Sequence, residues 1–242
     1  MSTGLQGVGQ ASPSQSPTAP PVAVPSGSAA PQSSIPLPAQ PIAPKLRFVV
    51  ILDPAHGGSD SGAILSSGDP EKNYTLALAI RLHVLLNARG IPSILTRDAD
   101  TTIDNTARAE TADRAHAAAC ILLHATSTGN GVHLFTSSLP TVRAANPRRL
   151  FLPWPTAQAS YGTQSLRLES DINASLTRQH IPVLLDKTSL APLDSMACPA
   201  LAVEVAPLNA TMPVGNSAYQ EQVAESLASA LVDWRSDWGL QP

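Results

Sequence analysis

The fold of this chain is decided by the stretch FVVILDPAHGG, which occupies residues 48–58. It opens with large apolar residues and no polar residue between them, as in a parallel strand that is covered on both faces. We therefore predict a buried strand from Arg47 to Asp53, which ends before the glycines at positions 57 and 58. His56 would then lie just beyond the end of this strand.

Beyond this strand, apolar runs alternate with amphipathic segments, which is the pattern of an α/β fold with a largely parallel sheet. The apolar runs predict further strands at residues 91–96, 120–123, 132–136 and 200–205. Helices are predicted at 69–90 and 105–118, around Leu168, Ile172 and Leu176, and along a final segment with Val223, Leu227, Leu231 and Trp234. The expected architecture is one three-layer α/β domain with a mostly parallel, twisted sheet and helices on both faces.

Residues that suit helix termini mark the ends of two of these helices. Asp69 is the expected N-cap of the first helix, and Glu71 falls in its first turn, where a carboxylate interacts favourably with the helix dipole. Gly90 suits the left-handed position that closes this helix. Asn216 or Ser217 is the expected N-cap of the last helix.

The first 45 residues differ in composition from the rest of the chain. They contain no charged residue before Lys45 and hold 10 of the 23 prolines, mixed with Ser, Ala and Gln. Such a segment lacks the large apolar side chains that would offset its ordering entropy. We predict that residues 1–45 are a disordered linker or tail and that residues 46–242 form the folded domain.

Charge, hydropathy and cysteine spacing argue against several classes of protein. The net charge of −3 and the lack of clustered Lys and Arg give no reason to expect a nucleic-acid partner. No run reaches the roughly 18 apolar residues of a membrane helix, and the N-terminal residues show no secretory signal. Cys120 and Cys198 lack the spacing of a metal site or a disulfide framework, so we expect two buried thiols.

Four side chains are expected to meet at one edge of the sheet. In a parallel sheet the carboxyl ends of the strands share an edge, and ligand sites form there. His56 follows the first strand, His124 follows the third, and Glu204 lies near the end of the last. Glu71 starts the helix after the first strand, so it returns to the same edge.

Two imidazoles and one carboxylate match a catalytic zinc site, which has three protein ligands and one open position. We therefore predict one Zn²⁺ ion bound by His56, Glu71 and His124. Glu204 is the predicted catalytic residue, which takes a proton from the attacking water and passes it to the leaving amine. Each side chain also has a structural interpretation, as a polar strand terminator, an acid at a helix N-terminus or half of an ion pair.

Five short motifs occur together in the order and spacing of a known family. They are DPAHGG at 53–58, EKN at 71–73, LTRD at 95–98, LHA at 123–125 and VEV at 203–205. Through their joint spacing, roughly residues 46–236 resemble the zinc-dependent N-acetylmuramoyl-L-alanine amidases of the amidase-3 family. The resemblance implies that residues 46–242 are a catalytic domain in which His56, Glu71 and His124 bind zinc and Glu204 is essential for catalysis.

The chain departs from the family pattern at loop positions. Ala55 stands where Gly is usual, Thr126 where Asn is frequent, and Ala206-Pro207 where Gly and an apolar residue are common. These differences affect loop geometry and substrate contacts rather than the four key side chains. The proline-rich stretch 137–163 is longer than the family norm, and we interpret it as a lid, an inhibitory segment or a partner surface.

The remaining polar residues near the motifs are assigned no part in the chemistry. Asp53 and Asp60 are expected to hold the turns around His56 through backbone hydrogen bonds. Arg97 and Asp98 follow the second strand and are interpreted as structural. The other histidines are expected to be ordinary core or surface residues: His83, His116, His133 and His180.

The resemblance implies hydrolysis of the amide bond between N-acetylmuramic acid and L-alanine in peptidoglycan, for cell-wall remodelling or daughter-cell separation. Two alternatives stay open: a zinc peptidase that cuts within the stem peptide, and a non-catalytic wall-binding or regulatory module. Because peptidoglycan lies outside the cytoplasmic membrane, a periplasmic or extracellular location is expected, although no signal peptide is visible in the chain. No sequence feature identifies a protein activator.

Overall fold

The structure, a computed structural model, describes residues 48–142 and 153–238. Its strands are β1 (Val50–Pro54), β2 (Ser93–Leu95), β3 (Ala119–Ala125), β4 (Val132–Ser137), β5 (Val183–Thr188) and β6 (Ala200–Val205). Its α-helices are α1 (Glu71–Ala88), α2 (Asn105–Arg114), α3 (Gly162–Arg178), α4 (Ala191–Ser195) and α5 (Ser217–Trp238). The predicted tail, residues 1–45, lies outside the described residues, as do residues 143–152 of the proline-rich stretch 137–163.

The strands form one six-stranded sheet with the order β2-β1-β3-β6-β4-β5. Every neighbouring pair is parallel except β4 and β6, which run antiparallel. The predicted α/β architecture with a mostly parallel sheet is therefore confirmed. Because β1, β3 and β6 are adjacent and parallel, their carboxyl ends lie side by side at one edge of the sheet.

Two hydrophobic cores cover the two faces of the sheet. The larger core joins one face to α1, α3 and α5, and the smaller core joins the other face to α2 and α4. On α5, the predicted inner face is confirmed, since all its members are fully buried: Val223, Leu227, Leu231 and Trp234. Each such aliphatic side chain contributes about 1.5–3 kcal/mol when it is removed from water.

Two of the predicted helix ends are confirmed and two are wrong. The backbone N–H of Tyr219 donates to Asn216 Oδ1 at 3.0 Å, which makes Asn216 the cap of α5. Gly90 has φ 68°, as expected where α1 closes. Asp69 is not the cap of α1, because Pro70 stays extended and occupies that position. Helix α2 ends at Arg114 rather than 118, where the chain turns back into β3.

The segment between α3 and β6 contains elements that the sequence pattern did not predict. Strand β5 pairs only with β4 at the edge of the sheet, and most of its side chains are exposed. An edge strand buries little on either face, so its sequence VLLDKT shows neither a continuous apolar run nor a clean alternation. The short helix α4 was also not predicted, nor was the 3-10 helix Trp154–Ser160, which precedes α3.

Within the described residues, no helix is both long enough and apolar enough to cross a membrane.

Cys120 and Cys198 form a disulfide bond, so the expectation of two free thiols is wrong. Both residues are fully buried, as expected. The bond joins the start of β3 to the segment that enters β6, and these strands are neighbours in the sheet. Their separation of 78 residues hid this proximity in the sequence, because only the strand order brings the two segments together.

Reduction of this disulfide should destabilise the domain by about 2–4 kcal/mol, because it releases a long loop in the unfolded chain. We expect the urea midpoint of the wild-type protein to fall when a reductant is added. The double variant Cys120→Ala/Cys198→Ala is the matched control, and its midpoint should not respond to reductant. A wild-type midpoint that is the same with and without reductant would contradict this prediction.

Candidate metal centre

Three of the four predicted side chains converge at the carboxyl edge of the sheet. His56 lies two residues beyond β1, Glu71 is the first residue of α1, and His124 lies near the end of β3. One ligand atom from each lies within 4.8 Å of the other two. His124 is inside β3 rather than after it, because pairing with β6 continues to Ala125.

The Glu71 carboxylate lies between the two imidazole rings. Its Oε2 is 3.1 Å from His56 Nε2, and its Oε1 is 3.1 Å from His124 Nδ1. The two rings are perpendicular, with centroids 5.5 Å apart. The three groups therefore present two nitrogens and a carboxylate to one small space, which is the donor set of a zinc site with three protein ligands.

Glu71 is almost fully buried, and backbone groups hold its carboxylate. The N–H of Ala63 donates to Oε2, and the N–H of Ala125 donates to Oε1, each at 3.0 Å. Burial raises the pKa of Glu71, but the hydrogen bonds from His124, His56 and these two amides outweigh it and hold the pKa far below its usual range. The carboxyl group is therefore ionised, as a metal ligand must be.

His56 is oriented by a second carboxylate. Asp60 Oδ2 accepts a hydrogen bond from His56 Nδ1 at 2.8 Å, which turns Nε2 towards Glu71. A carboxylate on the outer nitrogen is the usual partner of a metal-binding histidine. The hydrogen bond with Glu71 raises the pKa of His56, burial opposes the rise and Asp60 adds to it. A proton and a metal ion therefore compete for Nε2.

The backbone around His56 has an uncommon conformation, with φ 63° at His56 and 127° at Gly57. Gly57 and Asp60 exchange backbone hydrogen bonds of 2.9 and 3.2 Å across the turn. Asp60 Oδ1 also accepts from the Gly62 N–H at 3.0 Å. The predicted role of Asp60 in holding this turn is thus confirmed, and its bond to His56 is an additional one.

Two buried arginines support the loop that carries His56. Arg97 donates to the carbonyls of Pro54 and Ala55 at 3.0 and 2.9 Å, in agreement with its predicted structural role. Arg108 donates to the carbonyl of His56 at 2.7 Å.

The role predicted for Asp53, a backbone hydrogen bond, is wrong. Its carboxylate accepts from Arg108 Nη1 at 2.6 Å and from the Thr96 hydroxyl. Asp53 is buried, and a buried carboxylate is costly unless it is paired. Arg108 supplies that pairing, which no local pattern indicated because 55 residues separate the two.

The fourth predicted residue, Glu204, lies next to His124 on the neighbouring strand, since the two are partners in the β3–β6 register. Both line a cavity of about 200 Å³, together with Phe135, Thr188, Leu190 and Ala202. Phe135, Leu190 and Ala202 belong to or contact the smaller core, so this cleft opens on the α2/α4 face of the sheet. Glu204 is thus beside the three-residue group without being part of it.

Sequence reasoning missed two residues that contact this site. His133 Nδ1 is 2.8 Å from Glu204 Oε2, although a histidine in an apolar strand gave no signal of a partner. Gly62 packs against His56 and Glu71. A Cβ atom there would lie 2.5 Å from His56 Cδ2, and 2.8 Å from both His56 Nε2 and Glu71 Oε2. Neither contact follows from the sequence, because each joins segments that are distant along the chain or irregular in structure.

These features define a class of α/β domains that have two histidines and one glutamate at the carboxyl edge of a mostly parallel sheet. The profile of the amidase-3 family, described as N-acetylmuramoyl-L-alanine amidase, matches residues 50–233. The chain belongs to this family, as its motifs predicted.

Curated relatives of the chain are similar over part of their length. AmiA of Escherichia coli strain K12, an N-acetylmuramoyl-L-alanine amidase, is 43% identical over 77 residues, which cover 32% of this chain and 27% of AmiA. LytC of Bacillus subtilis strain 168, which has the same description, is 30% identical over 151 residues, 60% of this chain and 30% of LytC. The chain thus matches less than a third of the length of either protein.

Solved structures share the fold at low sequence identity. The catalytic domain of CwlV from Bacillus (Paenibacillus) polymyxa var. colistinus has a TM-score of 0.62 at 22% identity, over 78% of this chain and 98% of that domain. An N-acetylmuramoyl-L-alanine amidase from Clostridium difficile 630 has a TM-score of 0.63 at 20% identity, over 79% of this chain and 98% of that one. At these identities the likeness concerns the fold alone.

Substitution of Gly62 by Ala should weaken the binding of added zinc ions to the group of His56, Glu71 and His124 by about tenfold or more, because the added methyl group overlaps His56 and Glu71. Gly68→Ala is the matched control. Gly68 is in the same loop and also has a positive φ, 87° against 64° at Gly62, but no atom lies within 4 Å of the added carbon. We expect wild-type zinc affinity for Gly68→Ala in a competition titration with a chromogenic chelator. Equal affinities for the two variants would contradict the prediction.

Proposed function

We propose that this chain is a zinc-dependent N-acetylmuramoyl-L-alanine amidase, which hydrolyses the amide bond between N-acetylmuramic acid and the L-alanine of the peptidoglycan stem peptide. The observation that carries the proposal is the convergence of His56, Glu71 and His124 within 4.8 Å, together with the cleft that His124 and Glu204 both line. Membership of the amidase-3 family and the descriptions of AmiA and LytC support the substrate class.

His56, Glu71 and His124 are the proposed zinc ligands. Their chemistry fits the ion, because imidazole nitrogen and carboxylate oxygen are both common zinc ligands and three of them leave a position open. Bound there, zinc would polarise the scissile carbonyl and lower the pKa of a water molecule at the open position. The Asp60 carboxylate keeps the proton on His56 Nδ1, so that Nε2 has its lone pair free for the ion.

Glu204 is the proposed general base and then general acid. As the water oxygen bonds to the carbonyl carbon, Glu204 accepts a proton from the water. It then returns that proton to the alanine nitrogen as the carbon–nitrogen bond breaks. The products are the lactyl carboxyl group of muramic acid, which carries the water oxygen and the second proton of the water, and a stem peptide with a free L-alanine amine. Near neutral pH that second proton passes to the amine, which leaves a carboxylate and an ammonium group.

The cleft positions the substrate for this reaction. His124 and Glu204 are adjacent in register, so a carbonyl group placed over the end of β3 and β6 faces both the zinc ligands and the base. The cleft is also lined by the apolar side chains of Phe135 and Leu190 and by Thr188, whose hydroxyl is a hydrogen-bonding group. An apolar wall with few polar groups favours the exclusion of other water molecules from the reacting bond.

The proposed place of action is the periplasm or the cell exterior, where peptidoglycan lies, and the proposed role is cell-wall remodelling or daughter-cell separation. The buried disulfide between Cys120 and Cys198 supports this location, because such bonds form and persist in oxidising compartments.

Product analysis tests the reaction. We expect the zinc-loaded protein to release L-alanine N-termini from purified peptidoglycan while the glycan strands stay intact, and a chelator to stop this release until zinc is restored. New N-termini at another stem residue would identify a peptidase instead. Binding to the wall without any new terminus would identify a non-catalytic module.

The variant Glu204→Gln tests the assignment of the base. It keeps the size of the side chain but cannot accept the proton, so we expect the rate to fall by about 10²–10⁴-fold with zinc content unchanged. His124→Ala is the companion variant and should lose both zinc and activity. Wild-type rates in Glu204→Gln would remove Glu204 from the reaction.

A further inference from the structure

We propose that His133 is a positioning residue for Glu204: its imidazole Nδ1 holds one carboxylate oxygen, so that the other oxygen is left to handle the proton. The inference rests on the proposed function, in which Glu204 is the base. Neither the family motifs nor the predicted ligand set includes His133, which lies in β4, outside all five motifs.

The two side chains are held together by the sheet. His133 and Glu204 are directly opposite each other in the antiparallel pair of β4 and β6, where facing side chains are in contact range. His133 Nδ1 lies 2.8 Å from Glu204 Oε2. The His133 side chain is 13% exposed and that of Glu204 is 30% exposed, so water competes only partly for this bond.

The direction of the bond follows from the chemistry of its partners. An ionised carboxylate only accepts hydrogen bonds, so His133 Nδ1 is the donor and Oε2 the acceptor. Among residues 48–142 and 153–238, the other oxygen, Oε1, has no hydrogen-bond partner. His133 thus fixes one of several rotamers of Glu204, and Oε1 is the oxygen left for the attacking water.

The imidazole ring of His133 is itself confined. A Cβ atom at residue 129 would lie 2.5 Å from His133 Cε1 and 2.7 Å from Nε2, so the ring occupies the space that the glycine leaves open. Gly129 also has φ 89°, a conformation that suits glycine. Phe135 also contacts the ring edge to face, with centroids 6.4 Å apart and planes at 89°. The donor atom is therefore set in place before substrate binds.

His133 has no place among the zinc ligands. In the described part of the chain, the group that could hold a metal ion consists of His56, Glu71 and His124. A role through Glu204 therefore predicts that the loss of His133 changes turnover but not zinc content. A purely structural role predicts instead that stability changes and that the chemical nature of a replacement of similar shape does not matter.

The test compares three variants of the full chain with wild type. His133→Ala removes the donor, whereas His133→Asn places an amide N–H near the position of Nδ1. His83→Ala is the matched control: it removes a histidine whose Nδ1 also makes a 2.8 Å side-chain hydrogen bond, to Ser93, but in α1 and away from the cleft. For each variant, kcat and KM for release of L-alanine N-termini, the zinc content and the thermal midpoint are measured.

We expect His133→Ala to lower kcat by about 10–100-fold, with KM within about twofold of wild type and one zinc retained. His133→Asn should recover most of the lost kcat, and His83→Ala should keep the wild-type kcat. A His133→Ala variant with near wild-type kcat, a loss of its zinc, or equal kcat values for the Ala and Asn variants would overturn the inference. If wild type itself released no L-alanine termini, the proposed function would fail, and the inference with it.

Discussion

Glu71 is a charged side chain in a place where charge is costly, because its carboxylate is only 6% exposed. It stays ionised there because four donors surround it: the N–H groups of Ala63 and Ala125 and one ring nitrogen each of His56 and His124. Two of these donors come from the loop between β1 and α1, and two come from β3. The Glu71 carboxylate therefore holds the β1–α1 loop against β3. This contact sets the position of the His56 ring relative to the His124 ring.

The loop that carries His56 could not hold its shape by local preference alone. A left-handed conformation at a residue other than glycine costs about 1–2 kcal/mol, and His56 has φ 63°. Arg97 and Arg108 offset this cost by donating to three successive backbone carbonyls, at residues 54, 55 and 56. Arg108 can be buried there because Asp53, at the end of β1, neutralises it. The site is thus built from buried ions that stabilise one another, on a rigid parallel sheet.

Strands and helices with a strong local sequence pattern were predicted correctly, whereas contacts between segments that are distant along the chain were not. Continuous apolar runs identified β1, β3 and β6, and the rule that parallel strands share their carboxyl edge was enough to bring His56 and His124 together. Strand β5 was not predicted because it lies at the edge of the sheet, where its side chains need not be buried and no apolar pattern is required. Three contacts were not predicted: the Cys120–Cys198 bond, the Asp53–Arg108 pair and the contact of His133 with Glu204. Each depends on which strands and helices are neighbours in the fold, and spacing along the chain carries no such information.

The surroundings of the two glutamates account for the different parts that they take in the proposed reaction. The oxygens of Glu71 are held by groups of the β1–α1 loop and of β3, so its carboxylate is fixed beside both imidazoles and cannot turn to deliver a proton. Glu204 is 30% exposed, borders the cleft and has one oxygen held by His133 and one without a partner among the described residues. A base needs this combination of a fixed orientation and a free oxygen, since it must meet first the attacking water and then the leaving nitrogen. The two residues are of the same type, so it is the environment of each that suits Glu71 to the proposed role of ligand and Glu204 to that of base.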